Sequence, residues 1–444
     1  MDDHYQFLGI GAGPSNLSLA ALNDHRPGLK SLFLDAKPAG LAWHAGLLLP
    51  ESRLQTHFVK DLVTPVDPTN PFSFVSYLVK HKRLYKFLTA DFAQISRVEF
   101  SDYLRWVASE LKNVRHSTPV TAVSDHGDTW KICTERGNFY SPDLVVATGR
   151  SPNIPAFAQG KTSADVFHSS VFCQRVHNWR DKRVAIIGGG QSAAEILNHL
   201  LSNAERLPGK IRLISRRSNL LQLDDSPFAN EWFTPEYSNY FQGLSTSEKS
   251  RHVADQKLAS DGISVSLLQE IYRRLYELRY LKNSVPGQIV ISVGSTVSEM
   301  SNSPQGYRLN VQSDRFEHDV DEFDVVILAT GYKWALPAFL SSVQDRIEMN
   351  GSEPAVNEDF SARLTGTQDK RIFFQNTARL QRGIADPNLS LLAWRSSKVL
   401  NALARRTLYE STDDLSMLDL ALPTRGIDNG AFPGGERHAT TIAL

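Results

Sequence analysis

The stretch FLGIGAGPSN, residues 7–16, decides the fold of this chain. A short apolar strand runs directly into glycines and then into a helix-like segment, which is how a dinucleotide-binding βαβ unit opens. Gly11 permits the tight turn, and Gly13 lets the backbone approach a pyrophosphate at the helix N-terminus. Asn16 stands where the generic fingerprint has a third glycine. The stretch predicts a nucleotide site in an α/β domain.

Asp35 ends the next apolar strand, 19 residues after Asn16. An acid at this place accepts hydrogen bonds from a free ribose hydroxyl pair and repels a 2′-phosphate. Asp35 therefore favours FAD or NAD at this site, and the alternative is a plain strand–helix turn without a ligand. The predicted first site consists of Gly11, Gly13, Pro14, Ser15, Asn16 and Asp35.

A second stretch, RVAIIGGGQSA at residues 183–193, repeats the pattern mid-chain, with Ala193 in place of the third glycine. The strand that follows ends in two arginines instead of an acid. Arginine pairs with a 2′-phosphate through charge-assisted hydrogen bonds, so NADPH is preferred over NADH. The alternative is that these arginines are solvated strand-end charges. The predicted second site consists of Gly188, Gly190, Gln191, Ser192, Ser215, Arg216 and Arg217.

Two further apolar strands, LVVATGR (144–150) and VVILATGY (325–332), end in the same Ala-Thr-Gly turn. We expect these turns, the second of which contains Thr330, Gly331 and Tyr332, to mark where the chain crosses between domains near the cofactors. The pattern predicts an α/β fold with two Rossmann-like dinucleotide-binding domains in series and a small helical substrate domain.

The predicted boundaries follow from these motifs. A helix-like run over 391–403 is expected to return to the first domain, and the Gly- and Pro-rich tail 423–444 is expected to be irregular. The predicted parts are an FAD-binding first part at 1–168, an NADPH-binding domain at 169–219 and 281–332, a helical insertion at 220–280, and a return to the FAD-binding domain with a C-terminal tail at 333–444.

The bulk properties exclude several function classes. The 444 residues carry zero formal net charge, so no global field attracts nucleic acid or a membrane. Two cysteines, Cys133 and Cys173, cannot form a disulfide framework or a Cys-rich metal site, and we expect no metal. The absence of a CxxC motif argues against disulfide reductase activity. Few cysteines and no long apolar run predict a cytoplasmic protein.

The chain resembles the N-hydroxylating flavin monooxygenases of siderophore biosynthesis, especially the branch of lysine N6-hydroxylases and diamine N-monooxygenases. The resemblance covers nearly the whole chain. The segments that carry it are GIGAGPSN (9–16), WH (43–44), Gln55, FVKDLV (58–63), PTNP (68–71), EFSDYLRW (99–106), GGGQS (188–192), SRR (215–217), FTPEY (233–237), LATGY (328–332), GIADP (383–387) and Leu389-Ser390.

The resemblance implies the chemistry. NADPH reduces FAD, oxygen adds at flavin C4a, and the resulting hydroperoxide gives its distal oxygen to the nitrogen of a primary amine. The partners so implied are a small amine substrate and O2, and the assembly implied is a homo-oligomer, a tetramer. The further alternatives are a flavin monooxygenase acting on sulfur or a ketone, and a non-catalytic nucleotide-sensing flavoprotein.

The resemblance also assigns residues. Gln55 corresponds to a glutamine near the reactive edge of the flavin, and Lys60 to a lysine that contacts the substrate carboxylate in the ornithine-using branch. These residues have structural alternatives: Lys60 could be a surface charge, Trp43 could belong to the core, and His44 could be a hydrogen-bonded structural histidine. The remaining assignments are Trp43 and His44 beside FAD, Gln191 and Ser192 in the NADPH loop, and Leu389 and Ser390 covering flavin and substrate.

The sequence departs from the ornithine-using branch in the helical insertion. An Asn-Tyr pair of that branch is replaced within SDGIS, residues 260–264, which makes ornithine an unexpected substrate. Asp261 could hold the far ammonium of a diamine or could cap a helix start. Lys60 argues for a substrate with a carboxylate. We expect a diamine, cadaverine or putrescine, with L-lysine as the alternative.

Overall fold

The computed structural model describes residues 4–26, 28–175, 178–202, 206–282, 287–313, 316–366, 369–410 and 415–420. The tail predicted to be irregular, 423–444, lies outside the described residues.

Strands and helices alternate along most of the chain. The strands are β1 (Phe7–Ile10), β2 (Ser31–Leu34), β3 (Val114–Arg115), β4 (Val120–His126), β5 (Thr129–Thr134), β6 (Gly137–Ser141), β7 (Asp143–Val146), β8 (Ser151–Pro152), β9 (Val166–His168), β10 (Arg183–Ile187), β11 (Lys210–Ile214), β12 (Ile289–Ser292), β13 (Ser295–Ser303), β14 (Gly306–Ser313), β15 (Phe316–Phe323), β16 (Val325–Leu328), β17 (Tyr332–Lys333), β18 (Met349–Asn350), β19 (Glu353–Pro354) and β20 (Arg371–Phe374). The helices are α1 (Pro14–His25), α2 (Phe74–Lys80), α3 (Leu84–Ala90), α4 (Arg97–Glu110), α5 (Gln191–Leu201), α6 (Pro227–Asn230), α7 (Pro235–Gly243), α8 (Thr246–Asp255), α9 (Lys257–Asp261), α10 (Val265–Tyr276), α11 (Arg379–Arg382) and α12 (Leu392–Ala404).

The first unit is built on a parallel sheet with strand order β20-β7-β1-β2-β3. Alternate residues of each strand point to opposite faces. One face, with Phe7 and Phe33, packs on α1, α4 and α12, and the other, with Leu8 and Leu144, packs beneath the antiparallel meander β4-β5-β6. Both faces are buried, which explains why the strands are apolar throughout.

The second unit repeats this plan around the parallel sheet β12-β11-β10-β16-β9. Val184 and Ile186 face α5 and α10, whereas Ala185 and Ile187 face the antiparallel meander β13-β14-β15. In each unit the meander precedes the strand that enters the Ala-Thr-Gly turn. The chain thus contains the α/β architecture expected from the two glycine stretches.

The outermost strand of the second sheet corrects one predicted boundary. Val166–His168 was placed with the first domain, but it forms β9 and pairs with β16. The corresponding edge position of the first sheet is filled by β20, from the far end of the chain. Each sheet therefore receives one edge strand from outside its main segment. A three-residue strand without a flanking glycine signature gives no local sign of its partner.

The chain crosses between the units at the two Ala-Thr-Gly turns. β8 and β17, which follow these turns, pair with each other in antiparallel register, Tyr332 opposite Pro152. Asn153 reinforces the crossing, because its backbone carbonyl accepts a 2.6 Å hydrogen bond from the Thr330 hydroxyl. Each crossing begins beside a glycine loop, because Gly11 lies against Ala147 and Gly188 lies against Ala329.

The segment expected to be a helical insertion holds α6 to α10, and α10 continues into a π-helical turn at Glu277–Leu281. Ile271 and Leu278 are buried against the second unit, as the apolar periodicity of this segment predicts. Phe233 packs instead on the first unit. The insertion therefore contacts both units. None of the helices in the described residues is long and apolar enough to span a membrane.

The helix expected over 391–403 is α12, Leu392–Ala404, and it packs beside α1. Its buried Arg395 donates to the Asp386 backbone carbonyl and lies 3.1 Å from the Asp386 carboxylate. The guanidinium also reaches the Ser15 hydroxyl at 3.4 Å. The last described helix is thus tied to the first turn of α1, directly after the first glycine loop.

Candidate functional site

The first glycine loop has the shape that a pyrophosphate requires. Gly11 has φ +91°, and a Cβ there would lie 2.6 Å from the Ala147 carbonyl oxygen, so only glycine fits. Gly13, by contrast, has an extended backbone, and a Cβ on it would meet nothing within 4 Å. α1 begins at Pro14 without a side-chain cap, so no capping side chain accepts a hydrogen bond from its first N–H groups. This loop could hold an anionic phosphate.

Asp35 is bound to the first loop in the structure. Its Oδ2 accepts a 2.9 Å hydrogen bond from the Ala12 N–H, and its Oδ1 accepts one from the Lys37 N–H at 2.8 Å. Each carboxylate oxygen keeps a lone pair for a ribose hydroxyl. Asp35 can therefore shape the loop and bind a ribose at the same time.

Asn16 is completely buried. Its Nδ2 donates to the backbone carbonyl of Gly11 at 2.8 Å, and its Oδ1 accepts from Gln375 Nε2 at 3.0 Å. A glycine could supply none of these bonds. Asn16 therefore acts on the first site through the loop that it holds, and Gln375 is a partner that the sequence did not reveal.

The second glycine loop repeats the geometry. Gly188 has φ +144°, and a Cβ there would lie 2.1 Å from the Ala329 carbonyl oxygen. Gly190 precedes α5, which also lacks a side-chain cap, so Gln191 and Ser192 form an open helix start. A Cβ on Gly189 would lie 2.0 Å from the Ser215 hydroxyl, which explains why the loop has three glycines in a row.

The arginines after β11 stand apart from acids. Arg216 is exposed and Arg217 is half-buried, and neither forms an ion pair within the described part of the chain. Ser215 is buried, and its hydroxyl accepts the Arg217 N–H at 3.1 Å. Lys210 and Arg212 on the same strand, in contrast, are paired with Asp321. The strand end thus offers two uncompensated cations beside the second loop.

The second Ala-Thr-Gly turn is held by Asn153 and by His168 of β9, and Tyr332 reaches His44 of the first unit. The Gly331 carbonyl accepts from the Asn153 N–H and lies 2.9 Å from Nε2 of the buried His168. Tyr332 is half-buried, and its ring centroid lies 5.1 Å from that of His168 and 6.4 Å from that of His44. Burial raises the pKa of Tyr332. These contacts bring the turn to the Trp43-His44 segment.

His44 stands in an unusual place. Its backbone is left-handed with φ +54°, and its ring lies 4.4 Å from Trp43 between centroids. The His44 side chain is partly exposed to solvent, but neighbouring protein atoms surround much of the ring. This desolvation, with the charges of Arg97 and Lys37, lowers the pKa of His44 to about 4. His44 is therefore neutral at ordinary pH, and Trp43 packs on the first core.

Four segments of the chain meet around Gln55 and Thr56. Its Nε2 donates to the Ser264 hydroxyl at 3.2 Å and lies 3.4 Å from Gln191 Oε1. Thr56 donates to Asn388 Oδ1 at 3.2 Å, and the same oxygen accepts from the Ser390 N–H at 2.9 Å. The loop at Gln55, the second nucleotide loop, the insertion and the Leu389-Ser390 segment are thereby joined.

Lys60 is half-buried and has no ion-pair or side-chain hydrogen-bond partner within the described residues. Burial lowers the pKa of its ammonium, and Glu231 of the insertion opposes that shift. Asp261 is the last residue of α9, and its carboxylate lies 3.7 Å from Arg379. Because α10 begins at Val265 with Ser264 at its N-cap, the helix-start cap considered for Asp261 is wrong.

Sequence reasoning missed the ion pair of Arg97 with Glu195, which joins α4 to α5. It also missed Ser264, which shares Gln55 and Gln191 as partners. A glutamate one turn after the GGGQS stretch was a weak signal for the pair. Within the described residues, no group of three or more His, Cys, Asp or Glu side chains could hold a metal ion.

Comparison with known proteins gives consistent results. Residues 3–334 match the family described as L-lysine 6-monooxygenase/L-ornithine 5-monooxygenase. The L-lysine N6-monooxygenase of Escherichia coli is 38% identical over 426 residues, which cover 94% of this chain and 97% of that protein.

Solved structures have the same architecture. The FAD-bound cadaverine monooxygenase of desferrioxamine biosynthesis from Erwinia amylovora has a TM-score of 0.87 at 28% identity, covering 95% of this chain and 99% of that one. The ornithine N-hydroxylase of Kutzneria sp. 744, with reduced FAD, NADP⁺ and L-ornithine, has a TM-score of 0.84 at 28% identity, covering 90% and 99%. The chain belongs to the L-lysine 6-monooxygenase/L-ornithine 5-monooxygenase family.

Proposed function

We propose that this chain binds FAD at its first glycine loop and NADPH at its second, and that it hydroxylates the side-chain amine of L-lysine. The observation that carries the proposal is the junction at Gln55. There a loop of the first unit, the second nucleotide loop and the helical insertion lie within hydrogen-bond distance of one another. A hydride donor, a flavin and an amine have to meet at one such place.

The first unit suits FAD. Gly13 leaves open space above an uncapped helix start, and Asp35 keeps lone pairs for a ribose. His44 and Trp43 lie where the second Ala-Thr-Gly turn reaches the first unit, and the Leu389-Ser390 segment is tied to the loop beside Gln55. A bound FAD, once reduced by NADPH, would activate O2 and supply the oxygen atom that is transferred to the amine.

The second unit suits NADPH. The open helix start at Gln191 and Ser192 can receive the pyrophosphate. Arg216 and Arg217 can pair with the 2′-phosphate, because no acid of the described residues neutralises them. An NADH site would carry an acid at this strand end instead. We therefore infer that the 2′-phosphate is recognised by arginine.

The ammonium of Lys60, unpaired in the part of the chain that the structure describes, favours lysine over a diamine as the substrate. A half-buried ammonium without an ion-pair partner in the described residues is suited to bind a substrate carboxylate. Asp261, the anchor considered for the far ammonium of a diamine, is already near the guanidinium of Arg379. The geometry thus supports the amino acid better than the diamine that the sequence alone favoured.

The amine has to lose its proton before it can accept oxygen, and an ordinary alkyl ammonium has a pKa of about 10.4. The surroundings of Lys60 already lower the pKa of an alkyl ammonium through burial. A substrate amine held in a similarly shielded part of the site would experience desolvation of the same kind. The site therefore favours the neutral, nucleophilic amine.

A diamine, cadaverine or putrescine, is the second candidate. The cadaverine monooxygenase of Erwinia amylovora shares this fold over 95% of the chain. Glu231, whose charge reaches Lys60, could receive the far ammonium in place of a carboxylate bound by Lys60. With either substrate, we propose that the hydroxylamine product enters the synthesis of a hydroxamate siderophore.

The change Lys60→Met tests the proposed substrate because it removes the charge and keeps the length. The KM for lysine should rise about tenfold or more, as expected when a charge-assisted hydrogen bond is lost. Turnover of cadaverine should persist. The matched control is Lys86→Met, at an exposed lysine of α3, which should change neither value.

Hydroxylamine is measured for both amines in steady-state assays. A wild-type protein that prefers cadaverine by kcat/KM, together with no loss of lysine binding in Lys60→Met, would replace lysine with the diamine as the substrate.

A further inference from the structure

The ion pair of Arg97 with Glu195 joins the two nucleotide-binding units directly. Arg97 is the first residue of α4 in the first unit, and Glu195 lies in the first turns of α5 in the second. Their side chains are 15% and 5% exposed, so the pair is shielded from water. Neither charge takes part in a step of the proposed reaction, although that of Arg97 also lowers the pKa of His44. The pair itself connects the two units.

Glu195 also orients Gln191. Its carboxylate accepts a 2.9 Å hydrogen bond from Gln191 Nε2, which leaves the Gln191 Oε1 to accept the Ser264 N–H at 3.0 Å. If the Gln191 amide were turned over, its NH₂ group would face the Ser264 N–H, and two donors would oppose each other. The same Oε1 lies 3.4 Å from Gln55 Nε2. One carboxylate therefore determines which atom of Gln191 faces the junction.

We propose that Glu195 is a positioning residue that fixes the second nucleotide-binding unit against the first through Arg97 and Gln191. The inference rests on the proposed function in one respect, the transfer of a hydride from NADPH in one unit to FAD in the other. Gln191 begins the helix at the NADPH loop, and Gln55 belongs to the first unit. The connected side chains thus run from one cofactor loop to the other.

The same helix offers a matched control. Asn198 lies about one turn beyond Glu195 on α5 and is 4% exposed. Like Glu195, it lines a cavity of about 220 Å³ between α5, α10 and residues 49–53. Its Oδ1 has no hydrogen-bond partner within the described residues. Asn198→Ala therefore removes a side chain of similar burial without touching Arg97 or Gln191.

Stopped-flow reduction of the FAD-loaded protein by NADPH, without any amine, measures the proposed role. Glu195→Ala should slow reduction at saturating NADPH by about 10- to 100-fold, since a displacement of about 1 Å has effects of this size. The Kd for NADPH should stay within about threefold, because the glycine loop and Arg216 determine it. The flavin of Asn198→Ala should be reduced by NADPH at nearly the wild-type rate. Glu195→Gln, which keeps an acceptor for Gln191 but not the charge, should fall between.

Amide hydrogen exchange of the FAD-loaded proteins supplies a readout that is independent of turnover. Exchange at residues 191–195 and 262–266 should be faster in Glu195→Ala than in wild type, because the bonds that hold these segments together are lost. Asn198→Ala should leave the exchange of both segments unchanged. A role limited to general stability would instead accelerate exchange throughout the second unit.

If Glu195→Gln shows the wild-type rates of flavin reduction and amide exchange, the proposal is overturned, even if Glu195→Ala fails to fold. Equal losses in Asn198→Ala and Glu195→Ala would also overturn it, since they would show a general effect of altering α5. The proposed function fails differently: a wild-type flavin that NADPH does not reduce would contradict the cofactor assignment, whatever the variants do.

Discussion

The side-chain amide of Gln55 donates a 3.2 Å hydrogen bond to the hydroxyl of Ser264, which lies 209 positions later in the sequence. The bond joins a loop of the first unit to the helical insertion, and Gln191 of the second unit approaches both residues. A reaction that needs two nucleotides and a small amine requires such a meeting point.

The glycines of the first loop should differ in what they support. Gly13→Ala should leave the stability of the cofactor-free protein unchanged, because its backbone is extended and a Cβ meets nothing within 4 Å. It should nevertheless weaken FAD binding by about tenfold or more, since the methyl group occupies the approach of the pyrophosphate. Gly11→Ala should destabilise the protein itself, because its φ is +91°.

FAD titration and thermal unfolding of the cofactor-free protein check the comparison. Tight FAD binding by Gly13→Ala would exclude the pyrophosphate from this loop.

Arg216 should recognise the 2′-phosphate. Arg216→Ala should raise the KM for NADPH about tenfold or more and leave the KM for NADH nearly unchanged, because only NADPH carries the phosphate. Arg180→Ala, at an exposed arginine of the same unit, is the control and should affect neither. Steady-state oxidation of both nucleotides gives the values. An unchanged KM for NADPH in Arg216→Ala would mean that Arg216 does not bind the 2′-phosphate.

Glu353 should make stability depend on pH. It is buried, and burial with the nearby charge of Asp386 raises its pKa from 4.5 to about 7. The folded protein therefore binds this proton more tightly than the unfolded chain does. The contribution of Glu353 to stability is present below about pH 4.5 and is lost as the pH rises toward 7.

Glu353→Gln, which cannot ionise, should gain stability relative to wild type between pH 5 and pH 7.5. Urea unfolding at the two pH values measures the difference, and Glu135→Gln, at an exposed position, should show none. A constant difference between Glu353→Gln and wild type would mean that Glu353 does not titrate in this range.

The local features of the fold could be predicted from the sequence. The glycine loops, their neighbouring strands and the helix around Ile271 depend on residues close together in the chain, where patterns of glycine and apolar residues apply. The position of the two arginines at the end of β11 could be predicted for the same reason. Their character depends on what stands at a strand end, not on a distant partner.

Long-range pairing could not be predicted in this way. Nothing within Val166–His168 indicates that β16 is its neighbour, and nothing near Asp261 indicates that Arg379 lies 3.7 Å away. That second contact engages the residue considered for the far ammonium of a diamine, and it supports the proposal of L-lysine as substrate. The ion pair of Arg97 with Glu195 joins residues nearly 100 positions apart, and only the packed units bring them together.

The coupling of NADPH oxidation to hydroxylamine formation tests the central claim most directly. Wild-type protein loaded with FAD is given NADPH, oxygen and, in separate reactions, L-lysine, cadaverine, putrescine or L-ornithine, and hydroxylamine and hydrogen peroxide are both measured. We expect lysine to give nearly one hydroxylamine for each NADPH oxidised, with little hydrogen peroxide, and ornithine to give little product. Hydrogen peroxide as the sole product with all four amines would contradict the assignment of this chain as an amine N-hydroxylase.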